Sequence, residues 1–323
     1  MRLATMKNGH PDGELMVVAS DRRRWTSAAG IVPDLQRALE SWPAVAVALE
    51  ELSDELELGG GMAFDAAAAL CPLPRAYQWL DASAYLAHGR LMQQAFKLDK
   101  NPQANAVPLM YQGGSDRFIA PCDNVPFVSE DDGIDFEGEF AVILDEVPMG
   151  VSAADALRHV KLVMLVNDWS LRGLAPREMR SGFGFLQAKP ATSFGPLAVT
   201  PAGLGTSWRQ GRIDLAMNVW RDGHRFGSPP GGGMDYDFGQ LIEHAAATRT
   251  LSAGTIIGSG TVSVGDPFGV GCSCIAERRG GEMIEFGAAR TGYLRFGERV
   301  RVEVLDGEGV SVFGAIDQVV VGG

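Results

Sequence analysis

Basic residues are scarce in this chain relative to acidic ones. Its 323 residues include 28 Lys and Arg against 40 Asp and Glu, for a net charge of -12 at pH 7. A surface of this sign disfavours nucleic acid and anionic membranes as partners. An anionic substrate would therefore have to be attracted by arginine, lysine or metal charge within a local site.

Cysteine is also scarce, and its spacing excludes two common roles. Cys71, Cys122, Cys272 and Cys274 are too scattered for a disulfide framework or a zinc ribbon. We expect four free thiols, with Cys272 and Cys274 on the same face of one strand.

Long apolar runs and nucleotide-binding motifs are absent from the sequence. No stretch approaches the roughly 20 apolar residues of a membrane span, and residues 1–8 lack a signal-peptide core, which predicts a cytoplasmic protein. The glycine-rich segments 229–233 and 258–260 fit neither phosphate-loop pattern and are predicted to be turns. Strands and helices do not alternate regularly, which disfavours a Rossmann or barrel fold.

Length and patterning predict two domains and a large core. A 46% hydrophobic content permits such a core, and the length is typical of two domains. We predict a small α+β domain at residues 1–72, with no catalytic residue and a lid or dimer-support role. Residues 73–323 form a β-rich catalytic domain with short β-branched strands. The predicted elements are a strand at 14–19, helices at 34–42 and 43–56, and later strands at 213–220, 255–264 and 300–304.

An alternating acidic pattern stands out in residues 134–144. Asp135, Glu137 and Glu139 occupy odd positions among apolar even ones, which predicts one strand with three carboxylates on one face. Like charges on one face repel unless water solvates them or a divalent cation binds between them. The pattern leaves open a metal site or a solvated edge strand.

A further carboxylate follows a buried strand. Ser152 and Asp155 form a capping-box pattern that opens a helix, and residues 162–166 are continuously apolar, as in a strand buried on both faces. Asp168 comes just after that strand. A charge at this position is costly unless it is paired or metal-bound, so Asp168 is either a ligand or a turn or cap residue.

Asp81 and His88 supply another carboxylate and an imidazole seven positions apart. In a helix, two turns would place both on one face about 10 Å apart, suited to a ligand and a base on opposite sides of a substrate. The alternative for His88 is a partly buried helix histidine. His10, His159, His224 and His244 have no carboxylate or cysteine at ligand spacing, so we expect surface or helix positions for them.

Taken in chain order, these residues resemble the fumarylacetoacetate hydrolase family. The sequence has Asp81 and His88, then Glu137-x-Glu139, then Asn167-Asp168-Trp169 with Arg172. The resemblance extends from about residue 73 to the C-terminus, and residues 182–190 resemble a bacterial branch. It implies a mixed β-sandwich roll and a homodimer.

The resemblance also implies roles for individual residues. Asp81, Glu137, Glu139 and Asp168 match four metal ligands, an all-oxygen set that suits Mg²⁺, Ca²⁺ or Mn²⁺ better than zinc. His88 matches the base that activates water, with Glu277 as its partner. Arg172 and Lys189 match catalytic and substrate-binding positions, and Tyr111 and Thr261 match further substrate-binding ones. The alternatives are an arginine that pairs with a helix carbonyl, a lysine on a solvated loop, and a tyrosine or threonine within a sheet.

The implied reaction is hydrolysis of a carbon–carbon bond in a 1,3-diketo acid, as in aromatic catabolism. A base activates water, while the metal polarises the attacked carbonyl and holds the enolate that leaves. Ser83 replaces a tyrosine of the best-understood members, and residues 173–182 also depart from them. The substrate is therefore open between fumarylacetoacetate and acylpyruvates. A 2-oxo acid decarboxylase or hydratase, and a non-catalytic binder of metal and small acids, remain as alternatives.

Overall fold

Twenty strands and eight α-helices form in residues 1–97 and 107–323, the parts of the chain that the computed structural model describes. In chain order, strands β1 to β20 are Arg2–Met6, Glu14–Val18, Arg24–Ser27, Met62–Ala63, Ala69–Leu70, Trp79–Ala82, Met110–Gly113, Val125–Phe127, Ile134–Asp135, Gly138–Leu144, Val160–Asn167, Ser170–Leu171, Ser193–Val199, Trp208–Arg209, Arg212–Ile213, Met217–Arg221, His224–Gly227, Ile256–Gly258, Arg299–Val304 and Ile316–Gly322. Helices α1 to α8 are Leu35–Glu40, Trp42–Leu58, Leu86–Phe96, Ala153–Ala156, Ala175–Ser181, Pro201–Leu204, Phe238–Ala245 and Ile275–Phe286. Short 3₁₀ turns are Ala66–Ala68, Glu130–Asp132, Leu157–His159, Gly205–Ser207 and Gly231–Gly233.

Two mixed sheets organise these elements. The larger sheet has eleven strands in the order β4-β3-β2-β1-β13-β11-β10-β18-β6-β7, with β5 paired to β1. Its neighbours are antiparallel except for the parallel pair β18 and β6. The second sheet has the order β17-β16-β19-β20-β8, with β20 and β8 parallel. The predicted β-rich α+β class is confirmed.

The core lies on both faces of the large sheet. Helices α1 and α2 cover one face, where Leu39 and Leu49 are fully buried. The other face packs against the second sheet through residues such as Phe140, Val219 and Val302. Strands β10 and β11 are therefore buried on both faces, which positions the charged residues at their ends inside the protein.

The amino-terminal elements form as their sequence signals predict. Asp34 caps α1 by accepting a hydrogen bond from Arg37 N, and Pro43 occupies the first turn of α2. Gly59 ends α2. The first strand of this segment pairs with β13, since Arg2 lies opposite Val199, so the large sheet continues across the predicted boundary at residue 72. Separate folding of residues 1–72 stays a prediction.

Several local predictions were wrong. The strand predicted at 255–264 forms only at Ile256–Gly258, and the one predicted at 213–220 is divided between β15 and β16. Residues 134–144 do not form one strand: β9 ends at Asp135 and β10 begins at Gly138, which separates Asp135 from the other carboxylates. Asp81 lies on β6 and His88 on α3, so no helix joins them. Cys272 and Cys274 precede α8, and Cys274 caps that helix instead of lying in a strand. In each case contacts between distant segments determine where the element begins or ends, and the local sequence pattern does not carry that information.

One of the other histidines also has a partner that spacing did not indicate. His159 Nδ1 lies 2.7 Å from Asp145 Oδ1, in a 3₁₀ turn away from the acidic residues discussed above.

Among the described residues, no helix has both the length and the apolar character needed to cross a bilayer.

Candidate metal centre

Strand pairing brings four carboxylates together. On the β6–β18–β10–β11 side of the large sheet, Gly258 lies opposite both Asp81 and Ala141, and Gly138 lies opposite Asn167. Asp81, Glu137, Glu139 and Asp168 are all buried, and one carboxylate oxygen from each lies within 4.8 Å of the others. We call these four residues the carboxylate quartet.

Cationic and hydroxyl groups hold two of the four carboxylates. Lys189 Nζ donates to Glu137 and, at 2.6 Å, to Asp168 Oδ2. Asp168 also accepts from Tyr111 Oη at 2.5 Å and from Thr192 Oγ1 at 2.7 Å. Arg172 bridges Asp135 and Glu137, with nitrogen–oxygen distances of 2.8 and 2.5 Å. These hydrogen bonds and ion pairs hold Glu137 and Asp168 close together despite the repulsion between their negative charges.

The other two carboxylates have little or no compensation. Asp81 Oδ1 accepts a hydrogen bond from Gly260 N at 3.2 Å. Glu139 is fully buried, and neither of its oxygens has a hydrogen-bond partner among the described residues. A buried carboxylate without a partner is costly, and a cation bound between the four residues would remove that cost.

The electrostatics of the quartet point the same way. Burial, reinforced by Asp168, raises the pKa of Asp81 to about 8. Burial and the nearby Asp81 raise the pKa of Glu139 well above its ordinary value. For Glu137 burial acts upward, but Lys189 and Arg172 outweigh it and hold the pKa below its usual range. Two members of the quartet thus favour protonation unless positive charge is supplied.

Charge and donor type match a divalent cation. The four carboxylates carry four negative charges when ionised, and Lys189 and Arg172 together supply two positive charges. Because Arg172 also pairs with Asp135, the excess of negative charge in the quartet is at least two. All four donors are oxygens, which suit Mg²⁺, Ca²⁺ or Mn²⁺ better than zinc. The quartet therefore fits a divalent-cation centre.

His88 and Glu277 lie beside one another next to this centre. His88 Nδ1 is 3.9 Å from Glu277 Oε1, too far for a hydrogen bond, and has no partner among the described residues. The approach depends on α3 packing against α8. A Cβ at Gly280 would lie 2.7 Å from Leu91 Cδ2, so a larger residue there would require the Leu91 side chain to shift.

The protonation of this pair follows from burial. Burial lowers the pKa of His88 to about 4, so its imidazole is neutral at pH 7. Burial raises the pKa of Glu277 to about 7. The hydrogen bond from Ser263 favours the ionised form and acts in the opposite direction, but burial is the larger effect. A neutral imidazole beside a carboxyl group of near-neutral pKa can exchange a proton with bound water.

Asp135 lies away from the quartet and anchors the helix that carries Glu277. It is fully buried and accepts hydrogen bonds from Ile275 N at 2.7 Å and Ala276 N at 2.9 Å, at the start of α8. Ile275 N donates to Oδ1 and Ala276 N to Oδ2, and Oδ2 also accepts a hydrogen bond from Arg172 Nε. The prediction that Asp135 shares a strand face with Glu137 was wrong, because the helix N-terminus and Arg172 draw it elsewhere.

The remaining candidate residues are Lys189, Tyr111 and Thr261. Lys189 is nearly buried and charged: burial acts to lower its pKa, but Asp168 and Glu137 outweigh this effect. Tyr111 packs edge-on against Phe185, with ring centroids 5.1 Å apart. Thr261 is buried and directly follows Gly260, the residue that donates to Asp81. Lys189 is therefore not on a solvated loop.

Sequence reasoning missed Thr192, Ser263 and Cys274. Thr192 orients Asp168, Ser263 donates to Glu277, and Cys274 Sγ lies with His88 and Glu277 in a second group of potential ligands. Thr192 has no local sequence signal. Cys274 lies three residues before Glu277, which is the spacing of a helix cap and the first turn that it caps.

Fold and site define a mixed β-protein with a buried cluster of four carboxylates, a candidate cation centre, beside a histidine–glutamate pair. The model of the fumarylacetoacetate (FAA) hydrolase C-terminal domain matches residues 78–321, and that of fumarylacetoacetase N-terminal domain 2 matches residues 1–75. The chain belongs to the fumarylacetoacetate hydrolase family.

One curated protein of known activity resembles part of this chain. The chain is 30% identical over 138 residues to the oxaloacetate tautomerase YisK of Bacillus subtilis; the match spans 43% of this chain and 42% of that protein. The chain thus aligns with about two fifths of that relative's length.

Solved structures share the two-part architecture. A putative HpcE protein from Mycobacterium smegmatis superposes with a TM-score of 0.71 at 19% identity, covering 100% of this chain and 99% of that one. Maleylpyruvate hydrolase from Sphingobium sp. SYK-6, in complex with manganese(II) ion and pyruvate, gives a TM-score of 0.66 at 19% identity, with both chains fully covered. At these identities the likeness shows the fold.

Proposed function

We propose that this protein is a divalent-metal-dependent hydrolase that cleaves a carbon–carbon bond of a 1,3-diketo acid. The observation that carries the proposal is His88, close to Glu277, beside a buried quartet in which Lys189 and Arg172 leave at least two negative charges uncompensated. A protein that only stored metal would need neither the histidine nor the charged Lys189.

We assign Asp81, Glu137, Glu139 and Asp168 as the ligands of the cation. The uncompensated oxygens of Glu139 support this assignment. A divalent cation bound there would supply Lewis-acid polarisation of the substrate's keto oxygens and positive charge for the enolate that departs. Mg²⁺, Ca²⁺ and Mn²⁺ all suit the donor set, and the manganese in the maleylpyruvate hydrolase complex supports an ion of this kind.

The chain's own groups supply the proton transfers and hold the substrate. His88 is neutral at pH 7, and because its Nδ1 faces Glu277, we assign Nε2 as the atom that takes the proton from water. Glu277 orients the ring and stabilises its protonated form. Arg172 and Lys189 attract the anionic substrate, while Tyr111 and Thr261 bind its oxygens. Burial of Lys189 strengthens its attraction, since little water screens it.

The substrate class is a 2-oxo acid with a second keto group, such as an acylpyruvate or fumarylacetoacetate. The pyruvate bound in the maleylpyruvate hydrolase structure supports the 2-oxo acid part. Ser83 and residues 173–182 leave the remainder of the substrate open. A role in aromatic catabolism is part of this proposal.

A tautomerase is the second candidate. The 30% identity to an oxaloacetate tautomerase favours it over a decarboxylase or a hydratase, which would use the same site. Tautomerisation moves a proton between carbon and oxygen of a chelated 2-oxo acid and consumes no water.

The test is a substrate panel of acylpyruvates, fumarylacetoacetate and oxaloacetate, assayed with Mg²⁺, with Mn²⁺ and with chelator. Product analysis distinguishes cleavage from tautomerisation or decarboxylation. Metal-dependent cleavage that falls by about 10²- to 10⁴-fold in His88→Ala supports the hydrolase. His224→Ala is the control, because His224 is exposed on β17. Turnover of oxaloacetate alone would replace the hydrolase with a tautomerase or lyase.

Assembly and location are part of the proposal too. We infer a homodimer in the cytoplasm, which binds neither nucleic acid nor membrane. Light scattering of the purified protein tests the dimer: a mass near 34.4 kDa would contradict it, because that is the mass of one chain.

A further inference from the structure

We propose that His88, Cys274 and Glu277 form a second cation site, selective for transition-metal ions such as Zn²⁺ or Cd²⁺. A ring nitrogen, a thiol sulfur and a carboxylate oxygen of these three residues lie within 4.8 Å of one another. The site is distinct from the carboxylate quartet in position and in donor type. We call it the mixed-ligand site.

Distances in the mixed-ligand site suit shared coordination better than a direct hydrogen bond. His88 Nδ1 and Glu277 Oε1 are 3.9 Å apart, and Nδ1 has no hydrogen-bond partner among the described residues. Two ligands at about 2.0–2.1 Å from a tetrahedral zinc ion are about 3.4 Å apart. A shift of about half an ångström would bring the nitrogen and the oxygen to that separation. The His88 side chain is 22% exposed, so solvent reaches this residue.

Charge balance supports the same ion class. A neutral imidazole, a thiolate and a carboxylate carry two negative charges, so a divalent ion makes the buried site neutral once the thiol proton is released to solvent. Nitrogen and sulfur donors favour zinc and cadmium, whereas the oxygens of the quartet favour magnesium, calcium or manganese. The two sites can thus select different ions side by side.

The fold holds the donors in place independently of any ion. Cys274 Sγ accepts a hydrogen bond from Glu277 N at 3.4 Å as the cap of α8, and Ser263 donates to Glu277. An isolated backbone bridge joins Cys274 to Glu137, so the mixed-ligand site adjoins the quartet. An ion there would withdraw His88 from water activation. This inhibitory consequence rests on the proposed function, whereas binding itself does not.

The test is a Cd²⁺ titration of the full-length protein with the quartet saturated by Mg²⁺, followed by the near-ultraviolet absorption of a cadmium–thiolate bond. Cys274→Ser removes the sulfur but keeps the helix cap, since serine is a preferred cap residue. Cys71→Ser is the matched control, because Cys71 is a buried thiol that donates to Ile119 O and is not one of the three donors. We expect one equivalent of absorbing complex in the wild type and in Cys71→Ser, and none in Cys274→Ser. His88→Ala should weaken binding by more than about tenfold.

Other outcomes overturn the proposal. They are absorption that persists in Cys274→Ser, absorption lost in Cys71→Ser, or none in the wild type, with circular dichroism confirming that each variant is folded. Zn²⁺ in the presence of excess Mg²⁺ should inhibit turnover of the wild type and of Cys71→Ser, but not of Cys274→Ser. Cadmium binding by a protein with no hydrolase activity would overturn only the proposed function.

Discussion

Gly258 lies so close to Asp81 that a Cβ at this glycine would stand 2.5 Å from Asp81 Oδ1. The two residues are opposite each other in the parallel pair of β18 and β6. The same Cβ would also collide with the ring of the buried Trp79. The segment predicted from sequence as a simple turn thus begins with a glycine that leaves room for a proposed metal ligand.

Gly258→Ala should therefore weaken metal binding as well as the fold. The added methyl displaces Asp81 and overpacks the core, so we expect a loss of about 1–3 kcal/mol in unfolding free energy and lower Mg²⁺ affinity. Urea unfolding and calorimetric titration measure the two effects. Gly292→Ala is the control, because a Cβ there meets no atom within 4 Å. Unchanged metal affinity in Gly258→Ala would contradict this role for the glycine.

Glu139→Gln should have opposite effects on stability with and without metal. In chelator the variant should be more stable than the wild type, because it removes a buried carboxylate without a partner among the described residues. With Mg²⁺ it should gain less stability, because a ligand is lost and binding stabilises only the folded state. Thermal unfolding in both buffers measures the crossover. The exposed Glu51→Gln should behave as the wild type does, and equal metal stabilisation of Glu139→Gln would exclude Glu139 as a ligand.

Glu277→Gln should change the pH dependence of stability. Burial raises the pKa of Glu277 to about 7, so the folded state holds this proton more tightly than the unfolded chain. That stabilisation is fully present below about pH 4.5 and is lost as the pH rises through 7. Relative to the wild type, the variant should thus gain up to about 3 kcal/mol between pH 4.5 and pH 8. Urea unfolding in chelator at both pH values tests this, with Glu308→Gln as an exposed control; a pH-independent difference would refute it.

Asp135→Asn should destabilise the protein and impair catalysis through α8. The substitution places an amide where Ile275 N, Ala276 N and Arg172 all donate, and it breaks a buried ion pair. Loss of such a pair costs about 3–5 kcal/mol. Urea unfolding measures that cost, while Asp155→Asn in an exposed pair should cost less than about 1 kcal/mol. A fall in kcat larger than the change in KM would indicate that Glu277 on α8 is displaced. An unchanged kcat would contradict the role of Asp135 in positioning this helix.

The resemblance carried by the order of Asp81, Glu137, Glu139 and Asp168 predicted the quartet, and these four carboxylates do lie close together, while their role as ligands stays a prediction. The fold class and the amino-terminal helices followed from caps, prolines and strand patterns. The interruption of the strand at residues 136–137 was not predictable, because alternation continues through it and only the N-terminus of α8 draws Asp135 away. Thr192, Ser263 and Cys274 act through contacts between segments, for which one sequence carries no periodic signal.

The pairing of β1 with β13 has a consequence for truncation. Removal of residues 1–72 would strip β13 of its neighbour and leave its backbone donors and acceptors as a bare sheet edge. That edge would be a template for association with other chains. Since β13 borders β11, whose end precedes Asp168, amide hydrogen exchange in β11 and β13 should report whether the amino-terminal segment is docked. The amino-terminal segment would thus shield the β13 edge of residues 73–323 from association with other chains.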